Sequence, residues 1–178
     1  MSTRVLVAYA SKYGATAEIA EKIGQLLRND GFTVDILSAH QVDGLTDYRA
    51  VVLGSAVYAG QWREEAVTFL KAYEYTLADM PVWFFSSGPT GDGDPVELMK
   101  GWDFPKAQQL IANHIKPRDI VLFHGFLNMK ELNFAEKILI KGLGAAVGDF
   151  RNWDSITAWT NKIAEALKKE EQHSHPTA

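Results

Sequence analysis

Short apolar runs alternate with amphipathic stretches along this chain of 178 residues. The runs predict five strands, at residues 5–9, 32–37, 50–53, 82–85 and 120–123. Most of them lack the alternation of apolar and polar residues found in a strand with one solvent-exposed face. This absence is typical of parallel strands that are covered on both faces. Strands that alternate with helical segments predict an α/β fold with a doubly wound parallel sheet.

Apolar residues spaced three and four positions apart predict the helices that cover this sheet. The first stripe stops at Asn29-Asp30-Gly31, where glycine suits a helix C-terminus, and Asp154 is the predicted N-cap of the last helix. The four stripes are Ile19, Ile23, Leu26 and Leu27; Ala66, Phe69, Leu70 and Tyr73; Ala107, Leu110 and Ile111; and Ile156, Trp159, Ile163 and Leu167.

The length of the chain fits one domain, which at this size buries roughly 70% of its unfolded surface. We assign residues 1–169 to that domain and residues 170–178 to a polar tail. Two histidines, His173 and His175, lie in this tail, and they fit a solvated tail better than a metal site. No metal centre is predicted.

Composition narrows the chemistry further. The chain has no cysteine, which excludes disulfides, iron–sulfur ligation and thiol catalysis, so redox chemistry would need a bound cofactor. The net charge of −4 argues against a general nucleic-acid surface. No apolar run has the length of a transmembrane helix, and the first run is too short for a signal peptide, so we expect a cytoplasmic protein.

The segment between the first strand and the first helix has the composition of a phosphate-binding loop. A glycine allows close approach of the backbone, hydroxyls flank it, and the helix N-terminus adds free N–H groups. The Gly-Lys-Ser/Thr ending of nucleoside triphosphate loops and the G-x-G-x-x-G fingerprint are both absent, which favours the single terminal phosphate of FMN. This first loop consists of Ser11, Lys12, Tyr13, Gly14, Ala15 and Thr16.

Two further loops follow the third and fourth strands, at the sheet edge where open α/β folds bind ligands. In the second loop, Tyr58 or Trp62 either stacks on a planar ring or plugs the edge of the sheet. The third loop is rich in small residues whose backbone groups suit the edge of a heterocycle. The candidate residues are Ser55, Ala56, Val57, Tyr58, Gly60 and Trp62 in the second loop and Ser86, Ser87, Gly88, Pro89, Thr90 and Gly91 in the third.

These three loops together resemble those of the flavodoxin superfamily. The matching motifs are L-V-x-Y-x-S-K-Y-G-x-T, G-S-A-V-Y-A-G and the small-residue loop after strand four. The resemblance implies noncovalent FMN, held by the loop residues named above, and a five-stranded sheet of order 2-1-3-4-5. Residues 125–127, 134–141 and 148–154 further resemble the flavodoxin-like menaquinone-dependent protoporphyrinogen IX dehydrogenases.

That closer resemblance implies an FMN oxidoreductase that takes electrons from a porphyrinogen of haem biosynthesis and passes them to a quinone. Two alternatives stay open: a flavodoxin-like electron carrier that serves a redox protein, and a quinone reductase. The superfamily usually has threonine where this chain has Tyr13, and the third loop lacks a stacking tyrosine, with Trp102 the nearest aromatic. One flavin face is therefore expected to be open, which suits a planar substrate. No catalytic residue is predicted. His124, at the end of strand five, is better explained as a core or loop histidine whose ring nitrogens are hydrogen-bonded within the protein.

Residues 128–147 have no equivalent in a minimal flavodoxin, and we refer to them as the insertion. Apolar residues surround its predicted short helix, and Lys130, Lys137 and Lys141 are available to face lipid headgroups. The alternatives are a helix packed on its own domain, a homodimer contact, and peripheral contact with the inner face of a membrane. We expect the insertion to lie apart from the three flavin loops.

Overall fold

The computed structural model describes residues 3–174, without the side chain of Ser174. A parallel sheet of five strands forms its centre, and a short antiparallel strand extends the third of them. The strands in the described part of the chain are β1 (Arg4–Ala10), β2 (Thr33–Ser38), β3 (Ala50–Tyr58), β4 (Gln61–Trp62), β5 (Val82–Ser87), β6 (Asp119–Phe123), β7 (Phe126–Leu127) and β8 (Gly148–Asp149). The last two pair only with each other.

Helices cover both faces of the central sheet. Among the described residues, the helices are α1 (Ala15–Asn29), α2 (Glu64–Ala78), α3 (Pro95–Leu98), α4 (Gln109–Ile115), α5 (Phe134–Leu143) and α6 (Trp153–Ser174), with short 3₁₀ turns at Ala39–Gln41 and Lys106–Gln108. The parallel strands lie in the order β2-β1-β3-β5-β6. This confirms the predicted α/β fold and the order 2-1-3-4-5, because β4 is an antiparallel extension of β3.

The register of the strands sends alternate rows of side chains into two separate cores. In one row, Val52 of β3 pairs with Val7 of β1 and Trp83 of β5, and all three join the core beneath α1 and α6. The next row, which contains Leu53 of β3 and Phe84 of β5, enters the core beneath α2 and α4. Burial on both faces explains why the strand sequences are continuous apolar runs.

Several strand and helix boundaries differ from the prediction. Strand β3 continues to Tyr58, and β5 continues through Ser86 and Ser87, because small and hydroxylated side chains fit inside the sheet when their polar groups are bonded. The third helical stripe was wrong at two of its three positions: Ala107 is exposed and Leu110 is 83% exposed, whereas Ile111 packs against the core beneath α2 and α4. The buried residues of that segment are Gln108, Ala112 and Ile115.

The C-terminal helix also departs from the prediction at both ends. Its cap is Asn152, whose Oδ1 accepts a hydrogen bond from the backbone N–H of Ser155 at 2.9 Å, instead of the predicted Asp154. The helix continues through residues 170–174 of the predicted tail, since Glu170 pairs with Arg118 and Glu171 accepts from the backbone N–H of Thr3. The rest of that tail, 175–178, lies outside the described residues.

Gly54 provides a test of this packing, because a Cβ at that position would lie 1.9 Å from Cζ of Phe85. We expect Gly54→Ala to lower the free energy of unfolding by about 1–3 kcal/mol through overpacking. Chemical denaturation would measure this change. Gly44→Ala is the matched control, since its Cβ meets no atom within 4 Å.

The double variant Gly54→Ala/Phe85→Leu should lose less stability than the sum of its single changes, because the smaller side chain removes the clash. Additive losses would contradict this explanation.

Candidate functional site

The first loop places an uncapped helix N-terminus at the carboxyl end of β1. Gly14 is the N-cap residue of α1 with φ +89°, a left-handed conformation that glycine adopts without strain. Its N–H donates to Ser11 Oγ at 3.1 Å, and no described side chain caps the helix. The first-turn N–H groups of α1 therefore remain available to an anion, which is the donor set that a phosphate monoester needs.

Lys12, in the same loop, already has an anionic partner. Its Nζ forms an ion pair with Oε1 of Glu136 from α5, and it lies 5.0 Å and 5.9 Å from the ring centroids of Tyr13 and Tyr58. The Tyr13 hydroxyl donates to Oε2 of Glu136 at 2.5 Å. These two bonds, with Lys12 the larger cause, lower the pKa of Glu136 to about 2. Glu136 is therefore ionised at neutral pH and neutralises the loop lysine.

The second loop is a tight hairpin that presents Tyr58. Ala59 and Gly60 connect β3 to β4 with φ values of +49° and +72°, the two positive angles of a type I′ turn. Trp102, which the sequence left without an assigned contact, donates its Nε1–H to the Gly60 carbonyl at 3.1 Å. Tyr58 is 44% exposed, and its partial burial raises the pKa of its hydroxyl. Its ring is thus held at the sheet edge and is open to a ligand.

Trp62 lies in the core and is only 5% exposed. Its ring packs edge-on against Phe84 and Phe104, with centroids 5.6 and 5.0 Å away. Its Nε1–H donates to Ser86 Oγ at 2.8 Å. The structure thus places Trp62 as a plug beneath the hairpin, the second of the two predicted alternatives for the aromatic pair.

Other predicted site residues lie inside the sheet, where their hydroxyls are engaged in internal hydrogen bonds. Ser55 Oγ donates to the Ala56 carbonyl at 2.9 Å and accepts from the backbone N–H of Arg63 at 3.0 Å. Ser87 Oγ donates to the His124 carbonyl at 3.5 Å. These residues support the ends of β3 and β5. In the second loop, Val57, Tyr58 and Gly60 are more exposed than Ser55, Ala56 and Trp62.

The third loop is tied to the end of β6. The Gly88 N–H donates to the Phe123 carbonyl at 3.2 Å, and the Gly125 N–H donates to the Pro89 carbonyl at 2.8 Å. These bonds extend the pairing of β5 with β6 and hold residues 88–91 half-buried at the same sheet edge as the first loop. A Cβ on Gly91 would lie 3.9 Å from the Cβ of Ala146, so the insertion lies beside the third loop.

The expectation that the insertion lies apart from the flavin loops was wrong. Helix α5 begins with a capping box in which Asn133 and Glu136 exchange hydrogen bonds, and Glu136 reaches the first loop from there. Leu139 lines the cleft beside Tyr58, and Ala146 meets the third loop. Because the contacts involve single side chains far apart in sequence, the insertion's own pattern did not reveal them.

Arg151, which had no predicted role, follows the insertion by four residues and attaches this part of the chain to the start of α1. Its side chain is only 4% exposed. The guanidinium donates to the Ala15 carbonyl at 3.2 Å, to Glu18 Oε2 at 2.6 Å and to Asp149 Oδ2 at 2.6 Å. It also lies 4.8 Å from the Trp153 ring centroid and 5.2 Å from that of Phe126.

A cleft of about 920 Å³ opens beside Tyr58, between the first loop, the turn after β2 and the first half of α2. Arg63 contributes an Nε–H that is buried and has no hydrogen-bond partner among the described residues, while its Nη2 pairs with Glu65 at 2.8 Å. The lining residues are Lys12, Ala39, His40, Val42, Tyr58, Gln61, Trp62, Arg63, Glu64, Glu65, Thr68, Phe69, Ala72, Tyr73, Glu136 and Leu139. The mixed lining suits a planar, mainly apolar ligand with a hydrogen-bond acceptor.

His124 is half-buried, and its Nε2 is buried with no hydrogen-bond partner in the described part of the chain. Both ring nitrogens of this histidine were expected from the sequence to be hydrogen-bonded within the protein, and for Nε2 that expectation was wrong. Within residues 3–174, no group of histidine, cysteine, aspartate or glutamate side chains has a metal-binding arrangement. Across the same residues, no helix has both the length and the apolar character needed to span a membrane.

Comparisons with known proteins agree with this fold. The flavodoxin domain model matches residues 6–150. Protoporphyrinogen IX dehydrogenase [quinone] of Escherichia coli strain K12 is 26% identical over 177 residues, which cover 93% of this chain and 97% of that protein.

Two solved flavodoxins show the same fold. Oxidised flavodoxin 2 from Bacillus cereus is 22% identical with a TM-score of 0.60, and a flavodoxin from the domain Archaea is 16% identical with a TM-score of 0.57. In both cases the alignment covers 93% of this chain and 99% of the flavodoxin.

Proposed function

The chain belongs to the flavodoxin domain family, a family of flavoproteins, and we propose that it is an FMN-dependent oxidoreductase. Its proposed reaction takes electrons from a porphyrinogen and delivers them to a quinone. The E. coli relative supports this assignment, because it aligns over almost its whole length and is itself a protoporphyrinogen IX dehydrogenase that uses quinone. The observation that carries the proposal is the cleft beside Tyr58.

The donor set of the first loop fits FMN. The phosphate would take the first-turn N–H groups of α1 together with the hydroxyls of Ser11 and Thr16, and Tyr58 would contact the flavin ring. Backbone groups of residues 88–91 would hold the ring's polar edge. When bound, FMN supplies the electron transfer, and the protein contributes binding, orientation and exclusion of water.

The cleft favours an enzyme over a pure electron carrier. A carrier exchanges electrons at an exposed flavin edge and needs no second cavity, whereas this chain has a partly apolar cleft that shares Lys12 and Tyr58 with the flavin loops. Its charges are largely paired, Lys12 with Glu136 and Arg63 with Glu65. A neutral ligand with a carbonyl acceptor therefore fits better than a carboxylate, and we propose that the quinone binds here.

The first prediction concerns the phosphate. Thr16→Ala should weaken FMN binding roughly 10- to 150-fold, because a hydrogen bond to a charged group contributes about 1.5–3 kcal/mol. Titration of apoprotein with FMN, followed by flavin fluorescence, measures the affinity. Thr76→Ala, at an exposed position near the far end of α2, is the control and should bind FMN as the wild type does. Equal affinities for the two variants would contradict the phosphate assignment.

The second prediction concerns the quinone. Ala72→Trp places a large side chain in the cleft, so it should reduce menadione-dependent oxidation of protoporphyrinogen IX at least about tenfold and leave FMN bound. Anaerobic assays with each variant measure this effect. Lys71→Trp, at the neighbouring exposed position of α2 outside the cleft lining, is the matched control.

Three outcomes would redirect the proposal. Loss of FMN in Ala72→Trp alone would mean that the cleft holds the flavin itself. A wild-type protein that oxidises no porphyrinogen with any quinone, yet exchanges electrons with a flavodoxin reductase, would be the electron carrier. Reduction of quinone with another electron donor, without oxidation of porphyrinogen, would identify a quinone reductase.

We further propose that the insertion makes peripheral contact with the inner face of a membrane, where lipid-soluble quinones are found. Helix α5 is too short to span a bilayer, at about 15 Å. It exposes an unusual share of its apolar residues, and Lys137 and Lys141 lie on the same helix. The exposed apolar residues of this region are Phe134, Ile138, Leu139, Leu143 and Val147.

Flotation with vesicles tests this contact. The wild type should float with anionic vesicles more than with zwitterionic ones, and Ile138→Ser/Leu143→Ser should reduce flotation severalfold through lost apolar burial. Leu110→Ser, which removes a comparably exposed leucine from α4, should have no effect. A protein that never floats, but whose dimer dissociates in the double variant, would instead use this surface to bind a second copy.

A further inference from the structure

Residues 128–151 comprise the insertion and the four residues that follow it. Glu136, near the middle of this segment, attaches it to the first loop. One carboxylate, that of Glu136, accepts three hydrogen bonds: from Lys12 Nζ, from the Tyr13 hydroxyl and from the backbone N–H of Asn133. The bond to Asn133 caps α5, whereas the other two cross to a loop more than 120 residues earlier in the chain. The same side chain therefore starts the helix and fixes its position over the loop.

A second attachment lies at the end of this segment. Arg151 bonds to Asp149 on its own side and to Ala15 and Glu18 in the first turn of α1. The rings of Phe126 and Trp153 lie within 5.2 Å of its guanidinium carbon. Three hydrogen-bonded partners, two neighbouring rings and a side chain that is 4% exposed leave the guanidinium little freedom to rearrange.

We infer that residues 128–151 form a strap that closes over the cofactor loop, with Glu136 and Arg151 as the positioning residues that hold it there. This inference rests on the proposed function, since it assumes that the first loop binds FMN. Along the chain, the residues bound by Glu136 come just before Gly14, and those that Arg151 binds come just after it, in the uncapped first turn of α1. The strap also lies beside the third loop, since a Cβ on Gly91 would come within 3.9 Å of the Cβ of Ala146. A strap held in this position would slow the release of a cofactor bound by these loops.

The strap gives Lys12 and Tyr13 of the first loop a role other than phosphate binding. The phosphate would lie against the backbone N–H groups of α1, whereas the Tyr13 hydroxyl stands at the far end of a long side chain and contacts Glu136. Lys12 is paired with the same carboxylate. Both residues therefore hold the strap, and the phosphate is bound by neutral donors.

The rate of FMN release tests the inference. Glu136→Gln removes the charge and keeps the shape of the side chain. We expect FMN to leave about three- to tenfold faster from this variant, because a partly exposed ion pair and its hydrogen bonds are lost. Recovery of free-flavin fluorescence after dilution of the holoprotein gives the rate. Glu131→Gln, an exposed carboxylate elsewhere in the same strap, is the matched control and should release FMN at the wild-type rate. Arg151→Lys, which keeps the charge but loses the fork of donors, should also accelerate release.

A double-mutant cycle identifies the partner of Lys12. Lys12→Met should accelerate release in the wild type and add little in the Glu136→Gln background, because the two changes remove the same contact. Additive effects would show that Lys12 binds the phosphate and would overturn the strap. Slower release or tighter binding in Glu136→Gln would also overturn it, since Glu136 would then compete with the phosphate.

The inference and the proposed function fail in different ways. A purely structural role for Glu136 would lower the melting temperature and leave the release rate unchanged, and this result overturns the strap while FMN binding stands. A wild-type protein that binds no FMN overturns the proposed function and the strap together.

Discussion

Burial of the central strands on both faces is the constraint on which the rest of this structure depends. Neither face of the sheet is left for chemistry, because α1 and α6 cover one and α2 and α4 cover the other. Polar groups within the sheet must bond internally, as Ser55 and Ser86 do. Ligand-binding groups can then gather only at the carboxyl edge, where β1, β3 and β5 each end in a loop.

Continuous apolar runs separated by amphipathic stripes predicted the doubly wound parallel sheet, and the resemblance of the loops to those of the flavodoxin superfamily implied the strand order. The sequence predicted the ends of β3 and β5 poorly. Glycine, serine and alanine are common in loops, yet Gly54 lies in β3 because the ring of Phe85 occupies the space its side chain would take. The same ambiguity affected Trp62, because an aromatic residue that follows a glycine turn can face either the core or a ligand. The burial of its ring against Phe84 and Phe104 and its hydrogen bond to Ser86 distinguish the two.

Contacts between distant segments were beyond what the sequence could reveal. The capping box of α5 is visible as Asn-x-x-Glu, but its pattern does not show that Glu136 also reaches Lys12 and Tyr13. Arg151 gave no signal, since arginine beside aspartate and aromatic residues is common on protein surfaces. The insertion's apolar residues were correctly noticed and remain exposed on α5, whereas its polar residues connect it to the site.

Charge pairing links the two halves of the site. Glu136 neutralises Lys12, and Glu65 neutralises Arg63, so the rim of the phosphate cradle and the cleft beside Tyr58 each combine hydrogen-bond donors with little net charge. A phosphate bound at α1 would then rely on backbone dipoles, which need no mobile cation and leave the cleft suited to a neutral ligand. One ion pair, that of Lys12 with Glu136, contributes to both properties, because it holds α5 over the cradle and also lines the cleft. The residues that we propose retain the cofactor and those that line the neighbouring cavity are therefore physically coupled through a single carboxylate.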